Sequence, residues 1–262
     1  MSGVRRDFYN SFLLICGQMR LLQNMKMSST HPYEKITRSV YKKHVIDIKS
    51  PDAILQAANL LESGKVIGLP TDTVYGLACS ANDPTAIKKL YDIKGRICTK
   101  PIAICVPEVK DVLYWGKADH LPMGLLQELL PGAVTIVVKK SHYLDNPFLN
   151  PGVEKIGIRV PKFNFIRHVT KQFKAPMALT SANFSSQKST LEITEFKALW
   201  PELGAVFDGG QLGQSEEQRA ASTVIDLSEP RKFEIIRTGV AIKRTIELLK
   251  RYRFEEIVKR AT

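Results

Sequence analysis

A succession of short apolar runs limits this chain more than any other feature of its sequence. "KVIGLP", "PIAICV", "GAVTIVVKK", "KIGIRV", "APMALT", "AVFD", "STVIDL" and "FEIIR" are each of strand length, and most are bounded by polar or turn residues. Helix signals lie between them. In "SPDAILQAANLLESG", Ser50 can cap, Pro51 suits a first turn, Gly64 suits an end, and Ile54, Leu55, Ala58 and Leu61 share a face. Asp83 before Pro84 predicts a second helix through "TAIKKLYDIK" to Gly95. Helical material is expected between Glu108 and Leu130, and "AIKRTIELLKRY" closes the pattern with a basic helix. Alternating strands and helices define an α/β class: a twisted mixed sheet with flanking helices. Without a fixed-period repeat or a low-complexity linker, residues 47–250 read as one continuous domain, followed by a basic tail over 251–262.

Charge narrows the partners. The 262 residues hold 38 Lys and Arg against 26 Asp and Glu, a formal charge of +12, which draws nucleic acid, nucleotides or an acidic membrane surface. Much of the excess falls in residues 1–46, where Arg5, Arg6, Arg20, Lys26, Lys35, Arg38, Lys42 and Lys43 face only Asp7 and Glu34. That composition suits a mitochondrial presequence; a disordered leader, or translation starting at Met25 or Met27, suits it as well. The expected location is cytoplasmic, with a mitochondrial share if the leader targets. "FLLICG" is too short to span a bilayer, so no integral membrane segment is expected. Cys16, Cys79, Cys98 and Cys105 form no C-x-x-C pair and sit at no zinc-ligand spacing, which indicates free thiols and no metal site.

The common nucleotide signatures are missing: no Walker motif, no G-x-G-x-x-G, no H-E-x-x-H and no G-x-S-x-G occurs. Polar clusters at strand ends take their place. Lys94 and Arg96 bracket Gly95, and Lys100 follows from the same loop. Such cations suit a helix C-terminus, where they are usually solvated, and equally suit a polyphosphate. "LPTDTVYGL" offers Thr71, Asp72 and Thr73 just past a strand, either as a self-stitched turn or as a ligand loop. "TSAN" repeats the arrangement with Thr180, Ser181 and Asn183, and Ser222 and Thr223 open the strand in "AASTVIDL". Arg159 in "KIGIRVP" and Arg237 at the end of "FEIIR" need an anionic partner, an edge facing water or a cleft, because an unpaired buried charge is very costly.

"GLPTDTVYGL", "KGR", "PGAVTIVV", "IGIRVP", "TSAN", "FDGG", "STVIDL" and "IIRTG", in this order over roughly residues 50–250, resemble the YrdC/Sua5 family of L-threonylcarbamoyladenylate synthases. The chain looks like the short eukaryotic form, without a Sua5-type C-terminal domain. The resemblance implies a YrdC-like fold with a large basic concave cleft. It also implies a reaction in which L-threonine, bicarbonate and ATP, the last with Mg2+, give threonylcarbamoyl-AMP and pyrophosphate. The product would pass to a tRNA threonylcarbamoyl-transferase complex for position 37 of tRNAs reading codons that begin with A. Carried over residue by residue, catalysis falls to Lys94, Arg96, Ser181 and Asn183. ATP binding falls to these four with Lys100, Ser189 and Arg237, and threonine binding to Thr73, Arg159 and Ser222. Some relatives carry asparagine where Lys100 stands, histidine for Cys105 and glutamate for Ala221, and "KGRI" replaces the frequent "KGRP". The detailed contacts around these positions are therefore open. The rivals are a non-catalytic RNA-binding module with a basic concave face, and a carbamoyl-phosphate-using transferase. Weak RNA binding is compatible with the synthase as well.

Overall fold

In the computed structural model, which describes residues 45–95, 101–185 and 187–257, the apolar runs become strands of one twelve-stranded mixed sheet. In chain order these are β1 (Val45–Asp47), β2 (Ile67–Leu69), β3 (Gly76–Ser80), β4 (Ala103–Cys105), β5 (Gly116–Lys117), β6 (Val134–Lys140), β7 (Lys155–Arg159), β8 (Met177–Ser181), β9 (Val206–Asp208), β10 (Thr223–Asp226), β11 (Lys232–Arg237) and β12 (Glu255–Glu256). Across the sheet the order is β1, β9, β2, β3, β8, β4, β7, β6, β10, β11, β12, with β5 paired to β6. Neighbours β4 and β7 run parallel, as do β6 and β10, whereas β3, β8 and β4 alternate in direction.

Helix α1 (Ala53–Glu62) turns Ala53, Ala57 and Leu61 onto α5 (Asn164–Phe173), whose Phe165, Ile166 and Val169 join them over Ile67, Leu69, Ala78, Cys105, Met177 and Phe207. This layer covers one end of a sheet face. The same face continues beyond it: Leu179 lies opposite Ala103, Val137 opposite Gly157, and Asp226 opposite Val137. That uncovered part becomes the floor of a cavity.

Helix α2 (Pro84–Lys94) begins and ends where local chemistry directs it. Asp83 accepts from the Thr85 and Ala86 amides at 2.8 and 3.2 Å, Pro84 fits the first turn, and Gly95 takes φ +59° at the C-terminus, a left-handed conformation cheap only for glycine. Lys94 is thereby delivered as the last helical residue.

Several expectations need correction. Ser50 does not cap α1: its N–H is bound to the Asp47 carbonyl and its own carbonyl accepts from Ala53, so it closes a turn and the helix starts later. The stretch from Glu108 to Leu130 is split into α3 (Asp111–Trp115) and α4 (Met123–Leu129) by β5. Gly116 allows that approach, since a Cβ there would stand 2.5 Å from Val138 Cγ2. β1 takes in Val45 and Ile46, which were placed with the leader. Nor do residues 251–257 form a free tail: α6 (Ile242–Arg251) leads into buried Phe254, and β12 pairs with β11. The leader's residues 1–44 lie outside the described residues.

Candidate functional site

The uncovered sheet face floors a cavity of about 670 Å³. Ala103, Gly157 and Val137 make an apolar stretch of its floor; Thr135, Val224 and Arg237 lie level with Arg159, beside Ser222, while Ser181 lies toward the Lys155 end, and Thr71 lines it too. Lys155 and Asp226 also line it, their charges paired at 2.7 Å. Gly157 keeps the floor low, because a Cβ there would stand 3.0 Å from Thr135 Cγ2 and 3.1 Å from the Ala103 Cβ.

Arg159 at the end of β7 answers the question its apolar setting raised. Nη2 donates to Asp72 Oδ1 at 2.6 Å and to Thr73 Oγ1 at 2.8 Å, so the arginine is internally paired and also lines the cavity. Its Nε is buried and has no hydrogen-bond partner. A guanidinium that lines a cavity is suited to an anionic group such as a carboxylate. The loop that presents the pair is stitched by Thr71, whose hydroxyl donates to the Val74 carbonyl at 2.7 Å and accepts from the Thr73 and Val74 amides. Of the two readings of "PTDT", the structure shows the self-bonded turn.

Arg237 at the end of β11 points back across β10. Its Nη2 donates to the Ser222 carbonyl at 2.7 Å and to Ser222 Oγ at 3.0 Å, and that Oγ shares a 2.9 Å bond with Thr135. Burial, and then repulsion from Arg159, lowers its proton affinity. Two guanidinium groups facing one cavity favour an anion there. Gly239 lets the "RTG" turn close under this serine, since a Cβ would fall 2.3 Å from the Thr223 nitrogen. Ala221 beside it holds φ +57° and ψ −157°, a region that strains any residue but glycine and concentrates at ligand sites.

Lys94 is turned inward. Its Nζ donates to the Ser181 carbonyl at 2.6 Å, to Asn183 Oδ1 at 3.1 Å and to the Asn183 carbonyl. Ser181 Oγ donates to Asn183 Oδ1 at 2.5 Å, so the "KGR" lysine and "TSAN" form one unit. Ser181 lines the cavity; Lys94 and Asn183 stand behind it. Ser189 is not in the lining, and its carbonyl accepts from Arg219. Arg96 and Lys100 lie outside the described residues. Cys105 neighbours Arg159 across β4 and β7, but its thiol contacts Thr170 and is pushed up to about 12, chiefly by burial. Among the described residues no group of three His, Cys, Asp or Glu could hold a metal ion.

Sequence reasoning missed Thr135, Tyr75 and the Lys155–Asp226 pair as cavity residues. Alternation within "GAVTIVVKK" and "KIGIRV" carried the signal for Thr135 and Lys155, because every second residue of those strands faces the floor.

The fold and site define a class: a mixed-sheet α/β domain whose strand ends gather arginines and small hydroxyls around one cleft. The family model described as "Telomere recombination", that of Sua5, YciO and YrdC, matches residues 59–239, and the chain belongs to this family. A human protein named threonylcarbamoyl-AMP synthase is 47% identical over 200 residues, covering 76% of this chain and 71% of the human one. The crystal structure of P. abyssi Sua5 complexed with L-threonine superposes with a TM-score of 0.65 at 26% identity, covering 80% of this chain and 62% of that one. E. coli YciO gives 0.66 at 25% identity, covering 75% of this chain and 94% of YciO.

Proposed function

We propose that this protein is an enzyme, an L-threonylcarbamoyladenylate synthase. The observation that carries the reading is the buried Arg159, paired with Asp72 and lining a cavity that Arg237, Ser222 and Ser181 also line. Relatives bearing the synthase name, and a Sua5 structure containing L-threonine, support it. They do not favour a non-catalytic RNA module.

In this reading L-threonine binds by its carboxylate to Arg159, with Thr73 and Ser222 beside it. Its amine and bicarbonate give an N-carboxylate with loss of water. One oxygen of that carboxylate attacks the α-phosphorus of ATP, and pyrophosphate leaves as the P–O bond to the β-phosphate breaks. Nucleophile and phosphate are both anionic, so fixed positive charge must offset their repulsion. Lys94 and Arg96, with Lys100, are assigned to the triphosphate and the leaving pyrophosphate, Ser181 and Asn183 to nucleotide oxygens near the α-phosphate, and Ser189 and Arg237 to the nucleotide side. Mg2+ enters on the ATP phosphates rather than in a protein cage. The product goes to a tRNA threonylcarbamoyl-transferase complex, in the cytoplasm and, if the leader targets, in mitochondria.

Pyrophosphate release from ATP and bicarbonate, with and without L-threonine and with serine and alanine as controls, tests the reading. Release that depends on threonine is expected. No release from folded protein under any condition would return the choice to the RNA-binding module.

A further inference from the structure

The "FDGG" segment, so far without a role, closes on Tyr75. Tyr75 is fully buried, lines the cavity and packs on Phe196 with ring centroids 5.5 Å apart. Its hydroxyl accepts from the Gly209 N–H at 2.9 Å and donates to the Gly210 carbonyl at 2.7 Å. Asp208 Oδ1 accepts from the Gly210 N–H at 2.8 Å, and Gly210 takes φ +76°, which lets the turn close. Gly209 lies against the residue before Thr71: a Cβ there would stand 2.8 Å from Pro70 Cγ.

The main chain of the same tyrosine ties the other side. Gly76 pairs with Ser181, and Tyr75 extends that pairing: its carbonyl accepts from Ala182 at 2.8 Å, and its N–H donates to the Thr190 carbonyl at 2.9 Å. Thr190 Oγ1 in turn donates to the Ala182 carbonyl at 3.1 Å. One residue thus joins the Asp208–Gly210 turn, the Pro70–Thr73 loop and the Ser181–Asn183 loop.

We propose that Tyr75 is a positioning residue, seated in the Asp208–Gly210 turn, that holds the Thr71–Thr73 loop and the Ser181–Asn183 loop in register with each other. The substrate assignment rests on the reading above, in which the first loop serves threonine and the second the nucleotide. A carboxylate oxygen and a phosphorus bound by different loops react only if both loops are held, and an error of about 1 Å costs about 100-fold. A phenol engaged as donor and acceptor fixes the ring; phenylalanine fills the same space without that anchor.

The test uses the full chain with Tyr75→Phe, Asp208→Asn and the double variant, first shown to be folded by circular dichroism. Hydrogen exchange is measured over residues 71–75, 182–190 and 209–212, and steady-state kinetics are run with L-threonine and ATP varied separately. Tyr75→Phe is expected to speed exchange in all three segments and to raise both KM values about fivefold or more. The double variant should be little worse than Tyr75→Phe, because both changes act through one turn. A residue that merely stabilises the fold would lower Tm without raising both KM values. Unchanged exchange in the two loops, or faster exchange with both KM values as in wild type, overturns the proposal. If wild type itself releases no pyrophosphate, the functional reading fails, and exchange alone decides the clasp: joint loosening supports it, no loosening overturns it.

Discussion

Lys94 and Arg159 are both cations held inside the protein, 1% and 6% exposed, yet they are held in different ways. The contacts of Lys94 include donations to the carbonyls of Ser181 and Asn183 and to the Asn183 amide oxygen, neutral groups of one loop. Arg159 meets a carboxylate and a hydroxyl through one nitrogen and keeps Nε without a partner. The lysine is bonded into a loop; the arginine is paired to a carboxylate and also lines the cavity. In the proposed function this difference divides positioning, at Lys94, from threonine binding, at Arg159.

The largest effect should come from the arginine. Arg159→Ala removes the carboxylate partner and strands Asp72, so threonine-dependent turnover should fall at least about 100-fold, with stability lowered by about 3–5 kcal/mol. Arg159→Lys separates the two losses. It restores charge beside Asp72 but not the planar fork, so stability should recover further than KM for threonine does. A lysine variant with wild-type KM would break the distinction, because a point charge would then suffice.

Lys94→Met should act on the other axis. Losing the ammonium leaves three acceptors to find other partners, so stability should drop by about 1–3 kcal/mol. KM for ATP should rise while KM for threonine stays close to wild type. Equal changes in both would mean that the lysine serves the threonine end too.

How much of this was legible in the sequence follows from range. Asp83 and Gly95 were readable because a cap and a left-handed C-terminus are set by adjacent residues. The strand β3 was not: Gly76–Ser80 is "GLACS", small residues without strand-like bulk, and its place is decided by pairing with β2 and β8. α5 was missed because phenylalanine, isoleucine and valine in "NFIRHVTKQF" resemble strand formers, and contact with α1 decides. Arg159 announced a need for a partner, but that partner lies 87 positions away at Asp72. Tyr75 and Gly209 are separated by 134. No local period encodes such meetings.

A smaller effect calibrates the helix that delivers Lys94. Asp83→Ala removes the acceptor for two backbone amides and should cost about 1 kcal/mol in urea unfolding with an unchanged m-value. Because the lost cap lies at the opposite end of α2 from Lys94, KM for ATP should hold; a rise would show that the loop depends on the whole helix.

The smallest effect concerns a partly exposed pair that contrasts with both buried cations. Arg219 donates to both carboxylate oxygens of Glu195, at 2.5 and 3.0 Å, and to the Ser189 carbonyl, while about a quarter of each side chain stays exposed. The hydrogen bond from Arg219 is the main cause holding the Glu195 carboxyl below its ordinary range. Folding therefore favours the ionised form. Its contribution is complete above the ordinary glutamate range and is lost as pH falls through the lowered folded value. Solvent screening keeps it under about 1 kcal/mol. Urea unfolding of wild type and Glu195→Gln at several pH values should show a small gap near neutrality that closes in acid. A gap that stays open in acid would assign the loss to packing, and one as large as that of Arg159→Ala would mean that burial does not set the value of charge here.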